Sequence, residues 1–590
     1  MNFLEFTQSI HQQLEEFYHQ EIDSNLVQVQ KTRKDFTGDI TLVVFPLLRI
    51  SKKKPEETGE EIGKHLLKSK EIFQSFDIVK GFLNLTLSDP FLLQAFSQFD
   101  VHNISQKTND SVIVEYASPN TNKPLHLGHI RNILLGYSVS NILKYAGHEV
   151  IKTQIINDRG IHICKSMLAW QTFGGGETPE SSGMKGDKLV GKYYVRFDQE
   201  YKKQIQDLIT KGASEEEAKQ SAPILLEARE MLQKWEQRDP EVIQLWTKLN
   251  RWVYDGFDQT YDTLGVDFDK LYYESNTYLE GKKMVEEGLS KGVFYQKEDG
   301  SVWCDLTEDG LDQKLLLRSD GTSLYMTQDL GTAVLRFKDF PKVKKQIYTV
   351  GNEQDYHFKV LFIILQKLGY AWAKDNFHLS YGMMELPSGK MKSREGTVVD
   401  ADDLMLEMYE TAKQKTLETG KLEDLDHQQK EELYWSIGLG ALKYFILKVD
   451  PKKKMLFNPE ESVELNGNTG PFIQYTHART RSILNRAKKV GYEGNLQKGY
   501  KLSESEKMVV KTILDFPNVV EEAAANYSPA VIANYVYDLA KNYNHFYQSH
   551  SILKAEREEE INFRVFLSQK AGQTLKEGLT LLGIHAPEQM

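Results

Sequence analysis

Cysteine is nearly absent: only Cys164 and Cys304 occur in 590 residues. Two thiols cannot build a four-thiolate zinc site or a disulfide framework. No structural zinc or other metal site is therefore expected, and a reducing cytoplasm is the natural setting. No apolar run approaches the roughly 18 residues that a membrane-spanning helix needs, so no membrane partner is expected. The opening "MNFLEFTQSIHQQLEEFYHQ" lacks a basic stretch leading into an apolar core, and reads as an amphipathic helix instead of a signal peptide. Glycine-rich nucleotide signatures are missing too. Neither G-x-x-x-x-G-K-[ST] nor G-x-G-x-x-G stands at a strand–helix junction, which sets aside P-loop NTPases and dinucleotide dehydrogenases. An excess of positive charge is also lacking. A formal net charge of −11 argues against nonspecific polyanion binding over the whole surface. A nucleic-acid partner would have to be held by local basic patches.

What is present is an ordinary globular composition in a chain long enough for about three or four domains. Residues 1–105 read as a small mixed α/β unit. It comprises the opening helix, the strand-like "GDITLVVFPLL", the basic loop "RISKKKP", a helix starting at Pro55, and "VKGFLNLTLS", which alternates like one strand. "NISQKTNDS" reads as a linker. The β-branched run "SVIVEYAS" (111–118) reads as a buried strand. After it, Ile130, Ile133, Leu134, Tyr137, Ile142 and Tyr145 recur at helical spacing, and Gly147 fits the stop. "HEVIKTQIIN" follows as a second strand, completing the strand–helix–strand signature of a parallel nucleotide-binding sheet. A large insertion, mostly helical and charged from about 162 to 290 apart from the flexible "FGGGETPESSG", interrupts this sheet. "IYTVG", "DYHFKVLFIILQKLGY" and "FHLSYGMM" resume it as strand, helix and strand. From 402 to 590 only helices are expected.

Two motifs carry chemistry. "SPNTNKPLHLGHIRN" places His126 and His129 between a strand and a helix start. A zinc site would need a third ligand, which nothing nearby supplies. An isolated pair of surface histidines is the plain alternative. The flanks favour phosphate: backbone N–H groups and the helix dipole point at this spot, Gly128 allows close approach, and Pro124 stiffens the segment. "SGKMKSREG" (388–396) places Lys390, Lys392 and Arg394 on a loop with glycine at both ends. Alone it would be a solvated basic loop. Paired with a histidine motif after the first strand of an interrupted sheet, it is a second phosphate-binding candidate.

"PLHLGH" and "GKMKSREG" resemble the H-I-G-H and K-M-S-K-S signatures of class I aminoacyl-tRNA synthetases. The wider text resembles the arginyl-tRNA synthetase family over nearly the whole chain, in "VEYASPNTNKPLHLGHIRN", "QIINDRGIHICKSMLAW", "RSDGTSLYMTQDLGTA", "VGNEQDYHF", "GNTGPFIQYTHARTRSIL" and "LLGIHAPEQM". The resemblance implies a multidomain α/β protein. Its parts would be a tRNA-binding α/β domain at 1–105, a Rossmann-like parallel-sheet catalytic domain at 106–400 with a connective insertion at about 162–345, a helical stem at 401–455, and an all-helical anticodon-binding domain at 456–590. It implies ATP, L-arginine and tRNA(Arg) as partners, Mg2+ arriving with ATP, and a monomer.

The same resemblance assigns site residues. Lys123, His126, His129, Lys390 and Lys392 would be catalytic. ATP would lie against His126, Gly128, His129, Gly351, His357, Met384, Lys390 and Met391. Arginine would meet Glu115, Ser118, Asn120, His129, Tyr325, Asp329 and Gln354. These are acids, amides and a phenol suited to a guanidinium with five donors in a fixed fork. Lys52 and Lys53 of "RISKKKP" would meet tRNA phosphates. Tyr475, His477, Arg479, Arg481 and Arg486 would lie together against unpaired anticodon bases, which proteins read by stacking and edge hydrogen bonds. The insertion would carry arginine-binding residues and no hydrolytic editing site. The pattern departs from the class at one position: Ser393 stands where K-M-S-K-S has its second lysine. Among arginyl enzymes a lysine just ahead of the histidine motif replaces it, and Lys123 is that lysine here. Other readings fit less well. A cysteinyl enzyme wants zinc-binding thiolates, a small-molecule nucleotidyltransferase does not need the long helical tail, and a non-catalytic tRNA-binding paralogue would not need both motifs.

Overall fold

The computed structural model describes residues 3–33, 35–68, 71–102, 108, 110–385, 399–419, 425–497 and 499–590. The first unit contains α1 (Phe3–Tyr18), β1 (Gln28–Lys31), β2 (Ile40–Val43), the single turn α2 (Leu48–Ser51), α3 (Pro55–Leu66), β3 (Phe73–Val79), β4 (Phe82–Leu87) and α4 (Asp89–Gln98). Its four strands form an antiparallel sheet in the order β1-β2-β4-β3. The stretch "VKGFLNLTLS", expected as one strand, is divided by a hairpin turn. Lys80 (φ 50°) and Gly81 (φ 77°) both take left-handed geometry, and two consecutive left-handed residues match the twist of the flanking strands.

The central unit follows with β5 (Ser111–Glu115), α5 (Leu127–Tyr145), β6 (Glu149–Ile156), β7 (Lys270–Tyr273), β8 (Phe294–Gln296), β9 (Val302–Cys304), β10 (Lys314–Leu317), β11 (Val343–Gly351), β12 (Phe377–Tyr381) and β13 (Met384–Glu385). Five strands make one wholly parallel sheet, ordered β12-β11-β5-β6-β7. β5 lies at its centre and buries all five residues, as a strand covered on both faces must. The chain leaves β5 toward β6 on one side and returns through β11 on the other. The carboxyl ends of β5 and β11 therefore flank a switch point, the place where open parallel sheets form ligand crevices.

Two expectations are corrected. The mostly helical stretch 162–290 also holds an unexpected strand: β7 comes from it and forms an edge of the parallel sheet, and beyond it β8 to β10 make a small antiparallel sheet. The region after 402 is not only helical either. β14 (Met455–Leu456) pairs parallel with β13. Both misses are strands of two to four residues, too short to show a period.

Helices Ala401–Thr419 and His427–Leu447 lead through the single turn Pro459–Ser462 to five longer ones, Gly470–Lys489, Glu504–Leu514, Phe516–Asn526, Pro529–Ser549 and Glu558–Leu581. The junction is polar as well as apolar. Buried Lys443 donates to the Leu264 carbonyl (2.7 Å) and the Gly583 carbonyl (2.5 Å), tying the end of helix Pro240–Leu264 to the chain after the last helix. Burial pulls its ammonium down to about 8. Both cysteines are buried free thiols. Among the described residues, no helix is long and apolar enough to cross a membrane.

Candidate active site

The crevice is organised by the first two turns of α5. Just beyond β5, Ala117 turns left-handed (φ 75°). Its N–H donates to Asn132 Oδ1 at 2.6 Å, while Asn132 Nδ2 donates to the Thr349 carbonyl of β11 at 2.5 Å and to the Tyr381 hydroxyl of β12 at 3.2 Å. One side chain on α5 thus links the carboxyl ends of three adjacent strands.

His126 caps α5. Its Nδ1 accepts from the Gly128 N–H (3.2 Å), and His129 Nδ1 accepts from the His126 N–H (3.1 Å). The rings lie 3.9 Å apart. Histidines therefore do here what serine, aspartate or glutamate commonly do at a helix start. Burial, with Lys123 adding, pulls His126 down to about 3, and burial, with His126 and Lys123 adding, carries His129 well below its ordinary value. Both rings are neutral at pH 7. A neutral ring whose Nδ1 accepts must carry its proton on Nε2. The pair consequently offers two N–H donors, not two cations. A side chain at Gly128 would bring its Cβ to 3.1 Å from His126 Cε1, so any other residue would push the His126 ring aside by a few tenths of an ångström.

Lys123 lies near enough for its charge to act on both rings. With Pro124, Leu125 and His126 it lines a cavity of about 250 Å³, whose far wall includes Lys188, Lys192 and Tyr194 of helix Gly186–Thr210. Lys390, Met391, Lys392, Ser393 and Arg394 lie outside the described residues. The chain after them is laced to the histidine segment: the Leu127 N–H donates to the Val399 carbonyl (3.1 Å), and the Ala401 N–H to the Leu125 carbonyl (3.0 Å). Met384 is buried in β13, opposite Met455.

On the other side of the crevice, Glu115 is buried and ion-paired with buried Arg336. It also accepts from Ser118 Oγ at 3.2 Å. The Arg336 guanidinium lies 5.2 Å from the Tyr272 ring centre and 5.8 Å from that of Tyr348. Glu115 is thus already occupied by an internal guanidinium on one side, leaving it room for at most a small donor such as an ammonium. Asn120 is exposed and bridges to Asn157. Tyr325, 72% exposed, opens helix Tyr325–Asp339, and Asp329 follows one turn later. Asp329 Oδ2 sits 2.6 Å from His357 Nε2. The residue expected at arginine and the residue expected at ATP are therefore direct partners. Gln354 lies in an exposed turn after β11. A Cβ at Gly351 would meet only the carboxylate end of the exposed Glu353 side chain, 2.5 Å away, which is free to swing aside.

The structure adds acids that local sequence did not single out. Glu274, 6% exposed, begins the helix after β7. Burial pushes it up to about 7; Arg159 and Gln328 pull it down, while Asp158 and Asp329 add to the rise. Asp158 is buried and accepts from the Ser275 N–H (2.8 Å), Ser275 Oγ (2.7 Å) and the Tyr254 hydroxyl (3.0 Å). Each acid stands alone in its own stretch of sequence, and only the sheet brings them near Asp329.

In helix Gly470–Lys489 the expected aromatic–arginine cluster is divided. At about 100° per residue, Tyr475, Arg479 and Arg486 share one face, while His477 and Arg481 lie on the opposite one. His477 is 1% exposed, with Nδ1 3.0 Å from the Pro587 carbonyl, so it belongs to the core. Arg481 pairs with Glu588. Arg479 sits between the Tyr475 and Tyr547 rings, 4.9 and 4.8 Å from their centres, and bonds Asn544. Tyr547 and Asn544 are thus further members of this cluster, contributed by helix Pro529–Ser549. In the first domain, Lys53 pairs with Glu61, and Lys52 is exposed in a left-handed position.

Three family models match successive parts of the chain: the arginyl-tRNA synthetase N-terminal domain at 4–87, the catalytic domain of class I tRNA synthetases (R) at 92–458, and the DALR anticodon-binding domain at 473–590. The arginine–tRNA ligase of Flavobacterium psychrophilum is 57% identical over 97% of this chain and 98% of its own, and that of Bacteroides fragilis is 56% identical over 98% of each. Among solved structures, Thermus thermophilus arginyl-tRNA synthetase superposes with a TM-score of 0.80 at 26% identity, covering 100% of both chains. The Plasmodium falciparum arginyl-tRNA synthetase shares the fold, with a TM-score of 0.74 at 19% identity over 99% of this chain and 98% of its own. Matched from end to end in these ways, the chain belongs to the arginyl-tRNA synthetase family of class I aminoacyl-tRNA synthetases.

Proposed function

We propose that the protein ligates L-arginine to its tRNA: ATP + L-arginine + tRNA(Arg) gives AMP, diphosphate and L-arginyl-tRNA(Arg), through arginyl-adenylate. The observation that carries this reading is the pair of neutral histidines capping α5 at the switch point of a parallel sheet. An arginine carboxylate oxygen attacks the α-phosphorus of ATP, and pyrophosphate leaves. The Nε2–H groups of His126 and His129 donate to the phosphate oxygens as charge grows there. Lys123 meets the departing pyrophosphate, joined by Lys390 and Lys392, with Met391 beside the nucleotide. Gly128, Gly351, His357 and Met384 shape the ATP side. Magnesium arrives on ATP as part of the substrate.

Glu115, held by Arg336, and Ser118, which donates to Glu115, are assigned to the α-ammonium, with Asn120 nearby. Tyr325, Asp329 and Gln354 are assigned to the guanidinium, and Glu274 joins them because a buried second acid near the half-exposed Asp329 suits a spread cation. Protein acting at this site is proposed to be cytoplasmic, in keeping with its buried free thiols, and by family analogy monomeric. The segment 1–105 is read as an elbow-binding tRNA domain, 106–400 as the catalytic domain with its insertion, 401–455 as the stem, and 456–590 as the anticodon-binding domain.

Charging of a total tRNA mixture tests the reading: arginine is expected to be esterified to tRNA, and charging with another amino acid instead would overturn it. The tRNA contacts have a separate readout. Phosphate contacts through the two ends of the chain should make tRNA affinity fall steeply with salt despite the net charge of −11. Replacing Arg479 and Arg481 with alanine should weaken tRNA binding and leave arginine and ATP affinities unchanged. Because Arg479 alone lies between two tyrosines, Arg479→Ala should account for most of the loss. A flat salt dependence, or equal effects of the two single substitutions, would contradict the assignment.

A further inference from the structure

We propose that Arg131 is a positioning residue that fixes the start of the lysine-bearing loop against the histidine helix; this rests on the synthetase reading above. Arg131 lies on α5 two residues after His129, about 200° further round the helix, so it faces away from the histidine pair. It is fully buried. Burial pulls it down to about 10, which leaves it protonated at neutral pH. A buried guanidinium usually has a carboxylate partner. Here its hydrogen bonds instead go to backbone carbonyls. Nη1 donates to Gly382 (2.6 Å) and less closely to Met383 (3.4 Å); Nη2 donates to Pro451 (3.0 Å) and Lys453 (2.9 Å).

Those carbonyls belong to two different strands of chain. Residues 382–383 lead directly into β13 and on toward Lys390. Residues 451–453 lead into β14, after the stem helices. The two segments are themselves laced together: the Gly382 N–H donates to Pro451, the Met455 N–H to Met383 and the Phe457 N–H to Glu385. Arg131 therefore fastens both to the same turn of α5 that carries His129. The chain on the far side of the loop is fastened to α5 too, by the pairing of Leu125 and Leu127 with Val399 and Ala401. The planar fork matters. Arginine can reach carbonyls on both segments at once, whereas a lysine ammonium is a point donor without that span. The arrangement fixes the distance between the histidine N–H donors and the ground from which the lysines reach the same substrate. Rate in such a site depends steeply on that distance, since a displacement of about 1 Å can lower it about a hundredfold.

The test compares wild type with Arg131→Lys and Gly382→Ala. The second leaves Arg131 intact but moves the same segment, because a Cβ at Gly382 would lie 2.7 Å from the Lys453 carbonyl oxygen. Active sites are counted by the burst of arginyl-adenylate, and the single-turnover rate is expressed per active site with tRNA, ATP and arginine saturating. Both variants are expected to keep their arginine KM within about threefold and to lose about thirty- to a hundredfold in rate per site. A merely structural role would lower the active-site count and the melting temperature while leaving the per-site rate alone. That outcome, or a per-site rate within about threefold of wild type in both variants, overturns the proposal. Should Arg131→Lys fold poorly, Gly382→Ala and the per-site normalisation still decide. Arginine-dependent exchange by wild type tests the synthetase reading on its own, so failure of one is distinguishable from failure of the other.

Discussion

Citrulline is expected to be charged to tRNA at least about ten-thousandfold less efficiently than arginine, while canavanine is expected to be accepted. Citrulline keeps the length of arginine and loses its charge and one donor edge. Canavanine keeps the fork. The discrimination follows from what the site would be left holding. Asp329 pairs with His357, and Glu274 is buried against Asp158 and Asp329. A neutral ligand would leave buried Glu274 without a cation, which is the costly half of any buried ionic contact, while the half-exposed Asp329 would lose a charged partner. The same geometry gives a pH dependence. Glu274 stands at about 7 in the free protein, chiefly through burial. An arriving guanidinium favours its ionised form, so the arginine KM should fall as pH rises through 7 and then level off. Citrulline used within tenfold of arginine would remove the case for carboxylate recognition.

Replacing Lys123 with alanine is expected to slow arginyl-adenylate formation by at least about a hundredfold, the size of one lost charged donor, with the KM values of arginine and ATP nearly unchanged. Because both histidines are neutral, they supply hydrogen bonds and no net charge. Cationic help for leaving pyrophosphate must then come from residues such as Lys123, on the histidine side, and the lysine loop, in which Ser393 takes the place of the second lysine. A group that acts only as charge develops affects kcat and spares ground-state binding. Adding Ser393→Lys to the alanine variant should recover part of the loss by returning the charge from the other side. If Lys123 were only a solvated loop residue, the single variant would keep nearly full activity. A loss under threefold in single-turnover adenylate formation would mean it has no catalytic part.

The strand–helix–strand core was readable because each piece carries a period long enough to register. β5 is a β-branched run, and α5 repeats its apolar residues over five turns. The hairpin at Lys80–Gly81 was hidden by a run that alternates across it. β7 was hidden because "KLYY" is a four-residue strand inside a helical, charged neighbourhood. The histidine motif was legible as a phosphate site, but its electrical character was not. The motif leaves open whether the rings act as cations or as neutral donors, and burial in a shared cap makes both neutral donors. Partnerships across long separations were likewise out of reach. Nothing local in "VEYAS" or "AVLRF" says that Glu115 and Arg336 meet, or that Arg131 in "GHIRN" spans two segments hundreds of residues further on. The spacing of His477 did contain the answer: two residues after Tyr475 on a helix points to the opposite side, into the core.

The most direct test of the account is ATP–pyrophosphate exchange by the purified protein, run with each of the twenty amino acids, with and without tRNA. The account predicts exchange supported by arginine, abolished when His126 and His129 are both replaced by alanine, with no comparable exchange for any other amino acid. Exchange driven by a different amino acid, or arginine-dependent exchange that survives loss of both histidines, would contradict it.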